Sequence, residues 1–158
     1  MAETDILIDT LHPEDRDIWE TMWQDSVSEH GQVERQAVEQ TWTFLMERIP
    51  LGVNGLCARM DGQMVGFLHY VLHPVAGAVH PVCYMQDVYV APEHRRKGVA
   101  SHLIAALSHF CDQQGWERIY WLVDARNEGA QKLYQNIGIR LNFSLHAIPG
   151  KLIKEQAA

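Results

Sequence analysis

A chain of 158 residues with 47% hydrophobic content has enough material for one buried core, so a single domain over residues 1–158 is expected. Its charged fraction of 21% is that of a globular protein and not of a disordered one. A formal net charge of -7 argues against nucleic acid as the main partner, because phosphate binding needs an extended basic face, and is compatible with a cationic small molecule. The first residues, MAETDILIDT, have no basic segment followed by a long apolar run, and no stretch is long and apolar enough to span a bilayer. No membrane partner and a cytoplasmic location are therefore expected. Cys57, Cys83 and Cys111 are odd in number and widely spaced, with no CxxC pair, which reads as reduced, mostly buried thiols. The nine histidines are scattered, without HExxH or a His/carboxylate cluster at ligand spacing, so no metal is expected.

In chain order, DILID (5–9) alternates as a short strand. Pro13, then Glu14 and Asp15, open a helix whose apolar stripe is Ile18, Trp19, Met22 and Trp23. SEHG (28–31) breaks it. A second helix runs over 33–48, with Val38, Trp42, Leu45 and Ile49 at helical spacing, and ends at Pro50 and Gly52. LCARM (56–60) and 65–72 form a hairpin around Asp61-Gly62. A loop over 73–81 leads to a strand over 82–90. A helix over 97–113 carries Val99, Leu103, Leu107 and Phe110 on one side and stops at Gly115. RIYWLV (118–123) reads as a central parallel strand. A short helix over 128–136 is expected with Ala130, Leu133 and Ile137 facing inward, and a final pair of strands is expected over 140–153. The order β α α β β β α β α β β makes a mixed α/β sheet with helices on both faces.

The stretch QDVYVAPEHRRKGVASHLIAAL (86–107) begins as a strand and ends as a helix, with three cations and a glycine between. Helix N-termini expose unpaired N–H groups and carry the positive end of the dipole, so cations there are misplaced unless an anion docks. Glycine lets a ligand approach the backbone closely. The turn reads as a diphosphate cradle. It is neither a Walker A loop nor GxGxxG. Its pattern is Arg95-x-x-Gly98-x-Ala100, directly after a strand.

That pattern resembles the R/Q-x-x-G-x-G/A acyl-CoA pyrophosphate motif of the GNAT superfamily of N-acetyltransferases. Downstream, YWLVDARNEGAQKLYQNIG (120–138) resembles the second signature of that family: a strand, an Asn-Glu pair, and a helix carrying a tyrosine before a glycine. The resemblance covers essentially the whole chain. HYVLH, CYMQDVYV and RIYWLVDARN narrow it to the histone and polyamine acetyltransferases of the Hpa type and their bacterial relatives. Departures are Arg96, where glycine is common, and Ile139, where an aromatic residue often follows the glycine.

The resemblance implies a GNAT-like acyl-CoA N-acyltransferase fold with acetyl-CoA as cofactor. It implies acetyl transfer to a primary amine by direct reaction in a ternary complex. The acceptor it favours, together with the acidity of the chain, is a small cationic amine such as a polyamine or amino acid. Arg95, Arg96, Lys97, Gly98, Val99 and Ala100 would present backbone amides to the diphosphate. Val88, Tyr89 and Val90 would hydrogen-bond the pantetheine as an added strand. A backbone N–H near Val88 would stabilise the oxyanion. Tyr134 is implied as the general acid for the departing thiolate. Asn127 would bond the cofactor or cap the last helix; both readings stand. For the general base, some relatives use a glutamate where this chain has Gln86, which cannot serve. Asp87 is adjacent, but strand alternation points it to the other face unless a bulge intervenes. Asp87 is the catalytic base carried forward; His69, Tyr70 and a water chain remain alternatives. Trp19, Trp23 and Trp42 are candidates for an acceptor pocket, with core expected for at least two. The carboxylates Glu20, Asp25 and Glu29 are either amine-binding or a solvated face. Cys83 and Cys111 are not placed like activated nucleophiles. Relatives of this branch often self-associate, which implies a homodimer. The rival reading is a non-catalytic module that binds acyl-CoA.

Overall fold

In the computed structural model, which describes residues 5–148 and residue 150, the alternation at the start of the chain becomes β1, Leu7–Thr10. Pro13–Asp15 forms a single 3-10 turn that leads into α1, Arg16–Ser26. Asp15, not solvent, anchors this entry. Its buried carboxylate accepts from the His12 N–H at 2.8 Å and from both terminal nitrogens of Arg59 at 2.9 and 2.7 Å. Burial alone would raise the Asp15 pKa. The Arg59 guanidinium and the His12 amide outweigh it and hold the carboxyl below its ordinary range.

α2, Arg35–Glu47, follows and ends on Arg48 in the left-handed region. β2 (Val53–Met60) and β3 (Gln63–His73) form the expected hairpin, with Asp61 and Gly62 both at positive φ in the turn. β4 is Val82–Val90, α3 is Val99–Gln114, β5 is Ile119–Tyr120 and α4 is Glu128–Gln135. The sheet order is β1-β2-β3-β4-β5; the first three pairings are antiparallel and β4–β5 is parallel. The chain divides into two units, the first ending at Leu122 and the second beginning at Val123. Among the described residues no helix is long and apolar enough to cross a membrane.

Register shows which face each helix covers. Cys57, Phe67 and Tyr89 lie opposite one another across β2, β3 and β4, and pack into one core with Trp19, Trp23, Val38 and Leu45 of α1 and α2. Ala58, Gly66 and Val90 are the adjacent row and point to the other face, where α3 lies with Val99, Leu103 and Leu107 buried. Gly66 permits that approach. A Cβ there would stand 2.7 Å from the Tyr89 carbonyl oxygen and 3.4 Å from Val99 Cγ1.

The helices lie on both faces as the sequence predicts, but several expectations change. The apolar run over 118–123 yields only two strand residues, because its parallel ladder covers only Cys83 and Tyr84 of β4. Continuous apolar character marks a tendency to be buried and does not supply a strand partner. The final pair of strands is absent from residues 140–148; Pro149 and residues 151–153 lie outside the described residues. Ile139, Leu141, Phe143 and Leu145 keep a period of two, yet are 84%, 57%, 85% and 75% exposed. Ile18, counted on the stripe of α1, and Ile49, counted on α2, are also exposed. Ile137, expected to face inward, is exposed, and α4 has no buried residue.

Candidate active site

The turn after β4 has an unusual backbone. Pro92–His94 makes one 3-10 turn, and Arg95 is extended. Arg96 then takes φ 62° and Gly98 φ 83°, both left-handed. Gly98 is the N-cap of α3 and no side chain caps this end. The first helical bond is His102 N–H to Gly98 O at 3.0 Å, so the amides of Val99, Ala100 and Ser101 precede the helix's own ladder. No acidic residue stands in the first turn, where sequences usually place one. An uncapped N-terminus of a 16-residue helix, entered through a left-handed glycine, can accept a phosphate group from the backbone. Arg96 and Lys97 are exposed beside it. Arg95 also braces the turn. Its Nε–H donates to Val90 O at 2.9 Å and its guanidinium lies 5.4 Å over the Tyr89 ring, so its side chain ties the turn to β4.

β4 offers the second element. Its parallel ladder with β5 ends at Tyr84. Ala91 N–H bonds Val65 O on the β3 side at 2.9 Å. By alternation the N–H groups of Val88 and Val90 point away from β3, toward the edge that β5 no longer covers. Such an edge can take an extended, amide-bearing chain as an extra strand. The Tyr89 side chain is committed elsewhere. It is buried, and its hydroxyl donates to Asp25 Oδ2. Burial, helped by Asp25, pushes its pKa up to about 12.

Register with β3 decides where Asp87 goes. His69 pairs with Asp87 and Tyr70 with Met85, so Gln86 is the extra residue in β4. Asp87 therefore shares a face with His69, Phe67 and α1, and is 25% exposed. His69 Nδ1 lies 2.9 Å from Asp87 Oδ2, and the Trp19 indole N–H donates to His69 Nε2 at 2.9 Å. Trp19 and His69 are buried, and the rings of Trp19, Trp23 and Phe67 enclose the imidazole. Tyr70 belongs to the opposite face, 5.9 Å from the Trp116 ring centroid, with its pKa pushed by burial up to about 12. Of the three side chains weighed as a base, only Asp87 combines a carboxylate with partial exposure.

Trp19 and Trp23 are core, and Trp42 is half-buried against them, its ring 5.0 Å from that of Trp19. Glu20 is held by Arg16 and Arg35, and Asp25 by Tyr89; Glu29 is exposed. The buried thiols of Cys57 and Cys83 are both pushed by burial up to about 12, far from nucleophilic at neutral pH. Among the described residues no group of three or more His, Cys, Asp or Glu could hold a metal ion.

In the second unit Asn127 is the N-cap of α4, its Oδ1 accepting from Ala130 N–H at 3.1 Å. Tyr134 lies on α4, half-buried, and burial raises its pKa above the ordinary phenol value. Sequence reasoning named His69 but missed its bond to Trp19, and it missed Asp25 as the partner of Tyr89. These residues lie 50 and 64 positions apart, and nothing in local periodicity marks them.

The Acetyltransferase (GNAT) family model matches residues 11–139. The chain belongs to this family. It is 28% identical over 148 residues to a D-amino-acid N-acetyltransferase of Saccharomyces cerevisiae, covering 92% of each chain. Over 82 residues it is 32% identical to a type 1 aminoglycoside N(6')-acetyltransferase of Serratia marcescens, covering 50% of this chain and 56% of that one. Among solved structures, an aminoglycoside N-acetyltransferase in complex with CoA superimposes with a TM-score of 0.77 at 19% identity, covering 94% of this chain and 96% of that one. The GNAT fold, an N-acetyltransferase activity and acetyl-CoA as the family's cofactor follow from this membership.

Proposed function

We propose that the chain acetylates a primary amine on a small cationic molecule, by direct transfer from acetyl-CoA in a ternary complex. The observation that carries this reading lies in one segment: β4, whose ladder with β5 ends at Tyr84, runs straight into an uncapped α3 N-terminus entered through Gly98. An extended amide chain ending in a diphosphate matches both halves. Acetyl-CoA supplies a thioester whose carbonyl carbon is open to attack by an amine.

The chain's own residues do the rest. Backbone N–H groups from Gly98 to Ala100 bind the diphosphate, with Arg96 and Lys97 adding positive charge. Val88 and Val90 hold the pantetheine from the strand edge, and the N–H near Val88 faces the developing oxyanion. Asp87 takes the proton that an ammonium must lose before its nitrogen can attack. Tyr134 gives a proton to the departing sulfur. Asn127 fixes the start of the helix that carries Tyr134. The names of the yeast and Serratia relatives, which act on D-amino acids and aminoglycosides, support an amine acceptor of modest size. The formal charge of -7 favours a cationic one by raising its local concentration.

Isothermal titration with acetyl-CoA and with desulfo-CoA tests the cofactor half. Both are expected to bind saturably, because the turn and the strand edge contact the diphosphate and pantetheine and not the sulfur. Absence of heat with either ligand at millimolar concentration would reduce the turn at 95–100 to a solvated helix start.

A further inference from the structure

We propose that Trp19 and His69 are positioning residues for Asp87, acting as a fixed donor chain that sets which oxygen of its carboxylate faces the acceptor amine. This rests on the reading of Asp87 as the base.

The chain of bonds has one direction. An indole N–H can only donate, so His69 Nε2, 2.9 Å from Trp19 Nε1, must be the acceptor. In the neutral imidazole the proton then sits on Nδ1, which donates to Asp87 Oδ2 at 2.9 Å. Trp19 is fully buried and its ring is wedged at 5.1 and 5.0 Å from those of Trp23 and Trp42. Neither donor can turn away without leaving a buried polar group unpaired. Oδ2 is thereby held on the imidazole, while the Asp87 side chain as a whole stays 25% exposed.

Register gives this chain its place. Asp87 pairs with His69 in the same unbroken register that pairs Val88 with Leu68 and Tyr89 with Phe67, and the extra residue Gln86 lies just before it. The strand that offers its edge to the cofactor thereby also turns a carboxylate onto a buried histidine. The step served is simple and balanced: the ammonium gives one proton to Asp87, leaving a neutral amine and a neutral carboxyl. A proton on His69 Nε2 would face the Trp19 N–H donor head-on, so the proton received by Asp87 has no route inward through the imidazole. Tyr84 also feels the Asp87 charge, which after burial helps to raise its pKa. The remaining neighbours of His69 named above are rings.

Three variants and one spectrum test this. Asp87→Asn probes the base itself and is expected to lower kcat by about 100-fold or more. His69→Leu removes the donor and is expected to lower kcat by about 10- to 100-fold, the scale of a misaligned catalytic group, with KM for acetyl-CoA unchanged. His69→Asn places an amide N–H near the position of Nδ1 and is expected to recover most of that loss. In the wild-type protein, long-range 1H–15N correlation is expected to show His69 with a protonated Nδ1 and a bare, hydrogen-bonded Nε2. If His69→Asn is as slow as His69→Leu, the imidazole acts through packing and the proposal fails. It also fails if His69 shows the Nε2–H form, or if His69→Leu keeps full kcat while Asp87→Asn loses it. Full activity in Asp87→Asn removes the base reading instead.

Discussion

Tyr134→Phe is expected to lower kcat by about 100-fold or more while leaving acetyl-CoA affinity within a factor of about two, the signature of a lost proton donor. The substitution deletes one hydroxyl and keeps the ring, so the packing of α4 is little disturbed. Burial raises the Tyr134 pKa, which keeps the phenol protonated through neutral pH and ready to donate. The sign follows for the pH profile. In the wild type, activity that depends on this proton persists through the neutral range and is lost only as pH climbs past the ordinary tyrosine value. Tyr134→Phe should lack that alkaline limb. Rate measurements at saturating amine, with calorimetric affinity for acetyl-CoA alongside, check both halves. Unchanged kcat would remove Tyr134 as the acid.

Gly66→Ala is the second large effect, and it acts on the fold. The new Cβ would stand 2.7 Å from the backbone oxygen of Tyr89 and 3.4 Å from both Val90 Cα and Val99 Cγ1. The closest of these atoms is backbone, so β3 and β4 must part, or α3 must lift off. A loss of about 2–3 kcal/mol is expected, the upper range for overpacking a core. Because Val88 to Val90 and the turn into α3 all hang on this junction, acetyl-CoA affinity should fall as well. Gly52→Ala is the control. Its Cβ would meet only ordinary contacts, the nearest at 3.7 Å, and its φ is not positive. A change within about 0.5 kcal/mol is expected there. Urea midpoints for the two variants give the comparison, and equal stability would show that the junction relaxes freely.

Much of the architecture is legible in the sequence because local signals are strong where the chain is regular. The Asp61-Gly62 turn, the stripe of Val99, Leu103 and Leu107, and the stop at Gly115 each encode an element by spacing or by turn chemistry. β5 is different. RIYWLV has the residues of a six-residue strand, and only pairing with β4 decides that two of them are strand. The tail over 139–145 alternates like a strand and lacks a ladder among the described residues. In both places the sequence carries side-chain preference, whereas strand structure requires a neighbour.

The candidate site divides along the same line. The turn into α3 is readable because glycine and basic residues at a helix start are a local anomaly. The place of Asp87 is not, since it is fixed by pairing with His69, and the extra residue Gln86 breaks the alternation that would relate Asp87 to Met85 and the residues before it. The Trp19–His69 bond depends on α1 crossing β3, which no spacing in the chain discloses. Arg95 carries a contact of the same unreadable kind: its Nε–H bonds Val90 O and its guanidinium lies over the Tyr89 ring.

The most direct measurement is the rate of free-thiol release from acetyl-CoA against a panel of primary amines, spanning polyamines, D- and L-amino acids and aminoglycosides, with the acetylated product identified by mass. Amine-dependent, saturable release is expected, with at least one small cationic amine as acceptor and the acetyl group on its nitrogen. Saturable acetyl-CoA binding with no release above background for every amine would contradict catalysis on small amines and leave a protein that binds the cofactor without turning it over.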